Sequence, residues 1–535
     1  MTRAATVPDL RLLPPVLAGW IATRLGLTHT PATTLGASAA IAALGVVALS
    51  KSPNRAKVLV PIGTTLLVAA ALATSAALHL YALHLGPVSE LADARARATA
   101  TATVTGDPKP VKGIILLPIR IDDVEADESG TSRLHVHSQA TVLARPREPD
   151  DVARWMALLP SMHIQLTGRF IPPKDPADGD AATLTVSQTP TVVGGPSLLQ
   201  QFAGALRSDL HHAVAELPTE PAGVLPALTL GDTSAVPAQT TADLKTAGLS
   251  YLVVVSGENL VFLSAALLPL VRYAGLRAHA LAIFAAVLAL AFTALARPGP
   301  PMVRATVTAL LASIALATGR RFRGLTATAG AALILMLVDP WLAHQYGFVL
   351  SVAATAGLLI SAPTWRDRLI VLHRVPRWIA TSAAYTAAAE IYCEPLLVTF
   401  TGSVPLYSIP ANVLAVPAAP PATVLGVAAM AGYVLWPPAG HVAAWLAQWP
   451  TRWICLVAHG VAHVPGASLP WPNGLTGMVA LLCAYAIGRW ISRDLHRIRE
   501  RRAADSPIPE PYVPSTDPTS NPNPTTWFRN LWSAQ

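Results

Sequence analysis

The chain has 535 residues, of which 52% are hydrophobic and only 13% charged, with a mean hydropathy of +0.46 and a formal net charge of +8. A soluble chain carries about 25% charged residues, so the composition excludes an ordinary soluble enzyme and predicts a polytopic α-helical membrane protein. The positive balance does not by itself demand a nucleic-acid partner, because cationic loops in a membrane protein mostly report topology.

In chain order, Arg3 and Arg11 precede the first apolar run. No small-residue cleavage site follows, so the run reads as a retained helix rather than a signal peptide. Apolar stretches predict helices over about 12–28, 34–50 and 57–84. A polar insert over about 86–245 comes next. In it "RATATATVTG", "RLHVHSQATVLAR", "HIQLTGRF" and "AATLTVSQ" alternate or are rich in β-branched residues, and "VKGIILLPIR" offers a fifth strand. Five short strands separated by Gly, Pro and Asp suit a small all-β barrel of the OB type. A helix, "SLLQQFAGALRSDLHHAVAEL", then leads back to the membrane. Further spans are predicted at about 248–271, 279–296, 303–318, 325–339, 345–362, 379–400, 411–435, 441–466 and 474–491, about 12 in all. Between Pro395 and Gly488 the sole charged residue is Arg452. Pro405, Pro410, Pro417, Pro420 and Pro421 require a broken or re-entrant helix, since each removes a backbone donor. From about Ser506 the chain turns rich in Pro, Ser, Thr and Asn and reads as a disordered tail.

The expected organisation is thus N-terminal transmembrane helices (1–85), an extracytoplasmic OB-like domain (86–195), a juxtamembrane helical linker (196–247), a transmembrane core (248–492) and a tail (493–535). Lys51, Arg55 and Lys57 form one cationic cluster. Arg272 with Arg277, then Arg320, Arg321 and Arg323, then Arg366, Arg368, Arg374 and Arg377, and finally Arg489 to Arg502 form the others. With twelve spans they all fall on one side, which the positive-inside rule makes cytoplasmic together with both termini.

One apolar stretch, "GLSYLVVVSGENLVFLSAAL" (248–267), carries polar groups at its centre. Such groups at membrane depth face a cavity or a partner. Ser256, Gly257, Glu258 and Asn259 therefore read as the kink of a discontinuous helix lining a pathway. Arg304, Gln345, Ser351, Glu390, Glu394 and Asn412 are the further polar candidates for that lining. Glu390 and Glu394 are one turn apart on one face, so they call for water, a shared proton or a cation, with Arg304 as the nearest choice.

Sequence patterns for chemistry are missing: no HExxH, GxxxxGK[ST] or GxSxG occurs. His211-His212 and the alternating His135 and His137 lack the partners of a metal site, so neither a metal nor another cofactor is expected. Cys393, Cys455 and Cys483 all lie in apolar stretches and read as small buried hydrophobes.

"LTLGDTSAVP" (228–237), followed by "LKTAGLSYLVVVSGENL" (244–260), resembles the signature of the ComEC family of DNA-uptake proteins. That family carries an AGLSHLLAVSG-like run followed by histidine or asparagine. Here Tyr251 replaces the usual histidine, and Asn259 follows Ser-Gly-x. "RPGPPMVRA" (297–305), "DPWLAHQYGFVLSVAATAG" (339–357) and "EPLLVTFTGSVPLYSIPANVLAVPAAPP" (394–421) resemble further family segments in the same order. On these motifs Gly231, Asp232, Gly248, Asp339, Gly347, Phe348 and Pro417 are structural positions. The resemblance implies a channel that passes single-stranded DNA across the cytoplasmic membrane during natural transformation. Its implied partners are single-stranded DNA and membrane lipid, with a separate DNA receptor, a cytoplasmic ATPase or helicase, a nuclease, and homo-oligomeric copies as further ones. Many members also carry a metallo-β-lactamase-like domain. No HxHxDH-type motif is present here, so the chain is expected not to be an enzyme.

Residues Gly86 to Glu220 hold 12 Lys and Arg against 17 Asp and Glu, a net of −5, whereas DNA-binding surfaces are usually basic. A local cationic face built from Arg133, Arg145, Arg147, Arg154 and Arg169 would still serve, with Trp155 and Phe170 as stacking platforms. The rival reading is a secondary transporter of a small solute or lipid precursor, which would use the same broken helices but show internal repeats; none is visible.

Overall fold

In a computed structural model, the chain is described over residues 10–50, 56–111, 113–126, 133–146, 148–174, 179–254, 257–275, 277–297, 299–319, 324–373 and 375–504. It begins with helices α1 (Leu13–Thr28), α2 (Pro31–Ser50) and α3 (Ala56–His84), with α1 and α2 both packed on α3. A short helix α4 (Pro87–Asp93) enters the β region: β1 (Arg97–Val104), β2 (Lys109–Val111), β3 (Ile114–Ala126), β4 (Arg133–Ala144), helix α5 (Pro149–Met156), β5 (His163–Ile171), β6 (Ala182–Val186) and β7 (Thr191–Gly194).

Five of these strands close on themselves. The order is β1-β3-β4-β6-β5, and β5 pairs back to β1. All of these pairings are antiparallel except β4 with β6. This is an OB-like barrel, as the alternation in the sequence predicts. β5 shows how the pattern builds it: Ile164, Leu166, Gly168 and Phe170 point inward while His163, Gln165 and Arg169 point out. Ala98, Ala100 and Ala102 of β1 face Ile115, Leu117, Ile119 and Ile121 of β3 in the same core, and Trp155 of α5 joins them. "VKGIILLPIR" is not one strand: it spans the turn between β2 and β3, with Gly113 at φ 80. β7 escaped the sequence reading because its four residues run straight into glycine and proline.

Three helices follow: α6 (Leu198–Val214), α7 (Thr219–Leu230) and α8 (Ala238–Thr246). After them come α9 (Gly257–Tyr273), α10 (Ala278–Ala296), α11 (Pro300–Ala317), α12 (Gly324–Val338), α13 (Tyr346–Ile360), α14 (Ala362–His373) and α15 (Arg377–Thr401). The chain ends with β8 (Ser403–Pro405), α16 (Ser408–Ala415), α17 (Ala419–Leu435), α18 (Pro437–Ala462), β9 (Ser468–Pro470) and α19 (Gly474–Ala504). α7 is buried from Gly223 through Leu230 and packs on α17, α18 and α6.

Among the described residues, five helical segments are long and apolar enough to cross a membrane: Pro31–Ser50, Val58–His84, Ala278–Ala296, Ser408–Leu435 and Gly474–Ile491. A sixth arises if Tyr346–Ile360 and Ala362–Val371, bent by 41°, form one span. The stretch 248–271 is discontinuous, as the polar residues at its centre predict, but its α-helix begins only at Gly257 rather than at 248. α8 ends at Thr246, Gly248 is left-handed, a 3-10 turn covers Ser250–Val253, and a new helix starts at Gly257. The proline-rich stretch is broken as expected, with a 3-10 turn at Val416–Ala418 around Pro417.

Among the described residues, contacts between the barrel and the helical region include two in loops between helices. Asp107 pairs with Arg297 between α10 and α11, and Gly179 lies against Trp341 between α12 and α13. β8 pairs with β9, which brings the chain before α16 to the chain after α18. Of the three cysteines, Cys455 is buried and Cys393 half-buried, but Cys483 is exposed on apolar α19, because that surface suits lipid rather than a protein core.

Candidate functional site

Two glycines shape the break before α9. Gly248 has φ 73, and a Cβ there would lie 2.7 Å from Ser408 Cβ. A Cβ on Gly257 would come within 2.6 Å of Ala305 Cβ and 3.9 Å of the Arg304 guanidinium, so the start of α9 packs closely on α11. Glu258 falls in the first turn of α9, where the positive end of the helix favours a carboxylate. Ser256 lies outside the described residues.

A chain of hydrogen bonds crosses from this break to two other helices. The Tyr251 hydroxyl donates to Asn412 Oδ1 on α16 at 2.5 Å. Asn412 Nδ2 in turn donates to the Ser408 carbonyl at 2.9 Å and reaches Glu390 Oε1 on α15 at 3.5 Å. Asn412 is buried, whereas Tyr251 is 40% exposed. Both Glu258 and Glu390 are near enough to act electrostatically on Tyr251, and Glu390 also acts on Glu394, which is buried. The sequence motif contained Tyr251, but only the fold shows what it binds, 161 residues away.

Arg304 on α11 is buried, and its Nε donates to Ser351 Oγ on α13 at 2.9 Å. Among the described residues no salt bridge joins it to Glu390 or Glu394. The pairing expected from charge alone is therefore not formed; the bond from Nε goes instead to a hydroxyl on α13. Asn259 points elsewhere: its Nδ2 donates to the Leu228 carbonyl of α7 at 2.9 Å, and Thr423 of α17 reaches the same oxygen at 3.4 Å. It ties α9 to the buried α7.

The remaining motif positions hold the frame. Gly231 caps α7 at φ 70. Asp339 accepts from Trp341 N at 3.1 Å and starts the turn before α13, whose N-cap is Gln345. Gly347 faces Pro301, and Phe348 is buried against Leu72, Leu335 and Leu342.

Asp232 precedes α8, outside the apolar helices. It receives Arg207 Nη2 at 3.1 Å, His211 Nε2 at 3.0 Å and Ser234 Oγ at 2.6 Å. Burial alone would raise its carboxyl, but the bonds from His211 and Ser234 and the Arg207 charge outweigh it and hold the group well below the usual carboxylate range. A depressed folded-state value means that the stability it gives is present above the ordinary carboxylate range, about pH 4, and is lost as pH falls through the folded value. Asp232→Asn is expected to lower stability at pH 7 by about 1–3 kcal/mol and to flatten the acid limb. Thermal melting of the detergent-purified chain from pH 7 down to pH 3 checks it.

The barrel carries little of the surface expected for DNA. Trp155 and Phe170 are both buried in its core and offer no stacking face, because Phe170 falls on the inward parity of β5 and Trp155 on the barrel side of α5. Arg145, Arg154 and Arg169 are exposed, and Arg97, passed over in the sequence, lies beside Arg169 across β1 and β5. The Arg133 side chain and Arg147 lie outside the described residues. Acidic and imidazole groups share the barrel's outer face: Asp122 accepts from Thr103 and Arg120, and His135 pairs with Asp123. A cleft of about 280 Å³ lined by Thr99, Glu125, Gln165, Thr167, Gln188 and Thr191 is polar without a cation.

Comparison with known proteins adds two findings. A stretch of 204 residues is 24% identical to ComE operon protein 3 of Bacillus subtilis (strain 168), covering 38% of this chain and 25% of that protein. The match thus spans about a quarter of that relative's length. No solved structure matches the chain. The family described as Competence protein matches residues 228–494, the region that holds the broken helix, Arg304, the Glu390–Asn412 link and the proline-rich turn; this region of the chain is a Competence protein domain of the ComEC family.

Proposed function

We propose that the chain conducts single-stranded DNA across the cytoplasmic membrane during natural transformation and performs no covalent chemistry itself. The observation that carries this reading is the polar break before α9. Within a Competence protein domain, α-helix is interrupted between Thr246 and Gly257 in an apolar region; Tyr251 in that interruption bonds Asn412, which reaches Glu390, and Gly257 at the start of α9 lies beside Arg304. Irregular backbone at membrane depth is tolerated inside protein or beside water. A passing polyanion requires scattered polar partners rather than one tight site, since conduction demands weak binding.

In this reading the chain crosses the membrane about 12 times with both termini cytoplasmic. The barrel is then extracytoplasmic, on the side of the α10–α11 and α12–α13 connections that it touches. With Trp155 and Phe170 buried and acidic and basic groups mixed on its outer face, the barrel fits docking of a separate DNA receptor better than direct strand binding. An ATPase or helicase, and a nuclease for the second strand, are then supplied by other proteins.

The test is transformation in a strain lacking the gene. Imported labelled DNA should vanish from the cytoplasm while DNA still binds outside, and the wild-type copy should restore it. Unchanged transformation would remove the DNA reading. It would leave the paired Glu390 and Glu394 as the coupling groups of a proton-driven transporter for a small solute or lipid precursor.

A further inference from the structure

A second cluster lies outside this path. Asp243 of α8, and His459 and His463 at the end of α18, each present one donor atom, and the three atoms lie within 4.8 Å of one another. The histidines are four residues apart, so they share a helix face. "HGVAH" (459–463) was legible in the sequence, but the carboxylate facing it comes from 216 residues earlier.

The three groups are held as ligands usually are. Asp243 Oδ2 meets His459 Nδ1 at 3.0 Å, and its Oδ1 receives Gln239 Nε2 at 2.9 Å. His463 Nδ1 meets the His459 carbonyl at 2.8 Å, which places the ring proton on Nδ1 and leaves Nε2 with a free lone pair. Among the described residues that Nε2 makes no bond. The two rings are tilted by 45° with centroids 4.2 Å apart. In a tetrahedral site with bonds near 2.0–2.2 Å, neighbouring donors are about 3.3 Å apart. The Asp243–His459 edge is already close to that, and the donor atom of His463, just beyond the last residue of α18, lies within 4.8 Å of both.

We infer that Asp243, His459 and His463 bind a divalent metal ion of the zinc class and so clamp α8 to the end of α18. Two imidazoles and a carboxylate suit zinc and its late first-row neighbours rather than calcium or magnesium, which prefer all-oxygen shells. Water reaches the site: Asp243 is buried, but His459 and His463 are exposed, and α8 turns Gln239, Thr241 and Lys245 outward beside them. α8 is the last helix before Gly248 and the break. A filled site therefore fixes the segment from which Tyr251 reaches Asn412. The inference concerns these three side chains alone and stands apart from what the pathway carries.

The full-length chain in detergent, titrated with zinc chloride against a chromophoric chelator, tests it. Wild type is expected to take up one zinc per chain and to melt at higher temperature when loaded. His459→Ala and His463→Ala are each expected to weaken zinc binding at least about tenfold and to abolish the thermal shift. His29→Ala, between α1 and α2, should behave as wild type. His463 is exposed, so His463→Ala keeps the test valid even if His459→Ala fails to fold. Wild type without stoichiometric zinc, or His463→Ala binding as tightly as wild type, overturns the inference.

Discussion

Arg304→Met is expected to cut transformation by at least about tenfold while leaving the protein in the membrane at wild-type amounts. The methionine fills similar space without the charge. The guanidinium is buried, with Ser351 Oγ at 2.9 Å, and its Nη2 lies 3.9 Å from where a Cβ on Gly257 would sit at the start of α9. A charge-assisted hydrogen bond contributes about 1.5–3 kcal/mol, and about 1.4 kcal/mol is a factor of ten. Loss of one phosphate contact in transit therefore predicts a ten- to hundredfold effect. Arg304→Lys keeps the charge but not the planar fork and should fall between. Transformation of the Arg304→Met strain at the wild-type rate would take Arg304 out of the pathway.

The second large effect is on stability. Gly248→Ala is expected to destabilise the chain far more than Gly275→Ala. Both glycines have positive φ, 73 and 81, which costs an alanine about 1–2 kcal/mol. Only Gly248 is also crowded: its added Cβ would lie 2.7 Å from Ser408 Cβ and 3.2 Å from Pro405 Cγ, while at Gly275 nothing lies within 4 Å. Overpacking adds about 1–3 kcal/mol, so Gly248→Ala should cost about 2–5 kcal/mol. Thermal midpoints of the two variants in the same detergent decide it. Equal midpoints would mean that Gly248 is not wedged against α16.

The barrel was legible because its strands alternate, with the inward set of β5 written out as Ile164, Leu166, Gly168 and Phe170. By the same parity Phe170 belongs to the core rather than to a stacking surface, because aromatic character alone does not say which face a residue takes. The apolar stretches announced helices, but apolarity reports solvent, not continuity. The kink expected at Ser256 to Asn259 coincides with the start of α9 at Gly257, whereas apolarity gave no sign that the residues before it, from Gly248 through the 3-10 turn at Ser250–Val253, lie outside that helix. Long-range partners were the least legible. Glu390 and Arg304 looked complementary as charges, yet helix packing brought Asn412 to one and Ser351 to the other. The Tyr251 substitution looked like the loss of a family histidine. Its structural sense, a hydroxyl donated across to α16, appears only once residues 251 and 412 are adjacent.

The most direct measurement replaces Tyr251 with a photo-reactive phenylalanine analogue and irradiates cells during uptake of radiolabelled DNA. Tyr251 is the conservative site for such a group, since it is partly exposed beside the break. Leu290, exposed on the apolar helix α10, is the matched control. The account predicts that the labelled strand crosslinks at 251 and not at 290. Import that proceeds with no crosslink at 251, or with equal crosslinking at both positions, would contradict a DNA path through the broken helix.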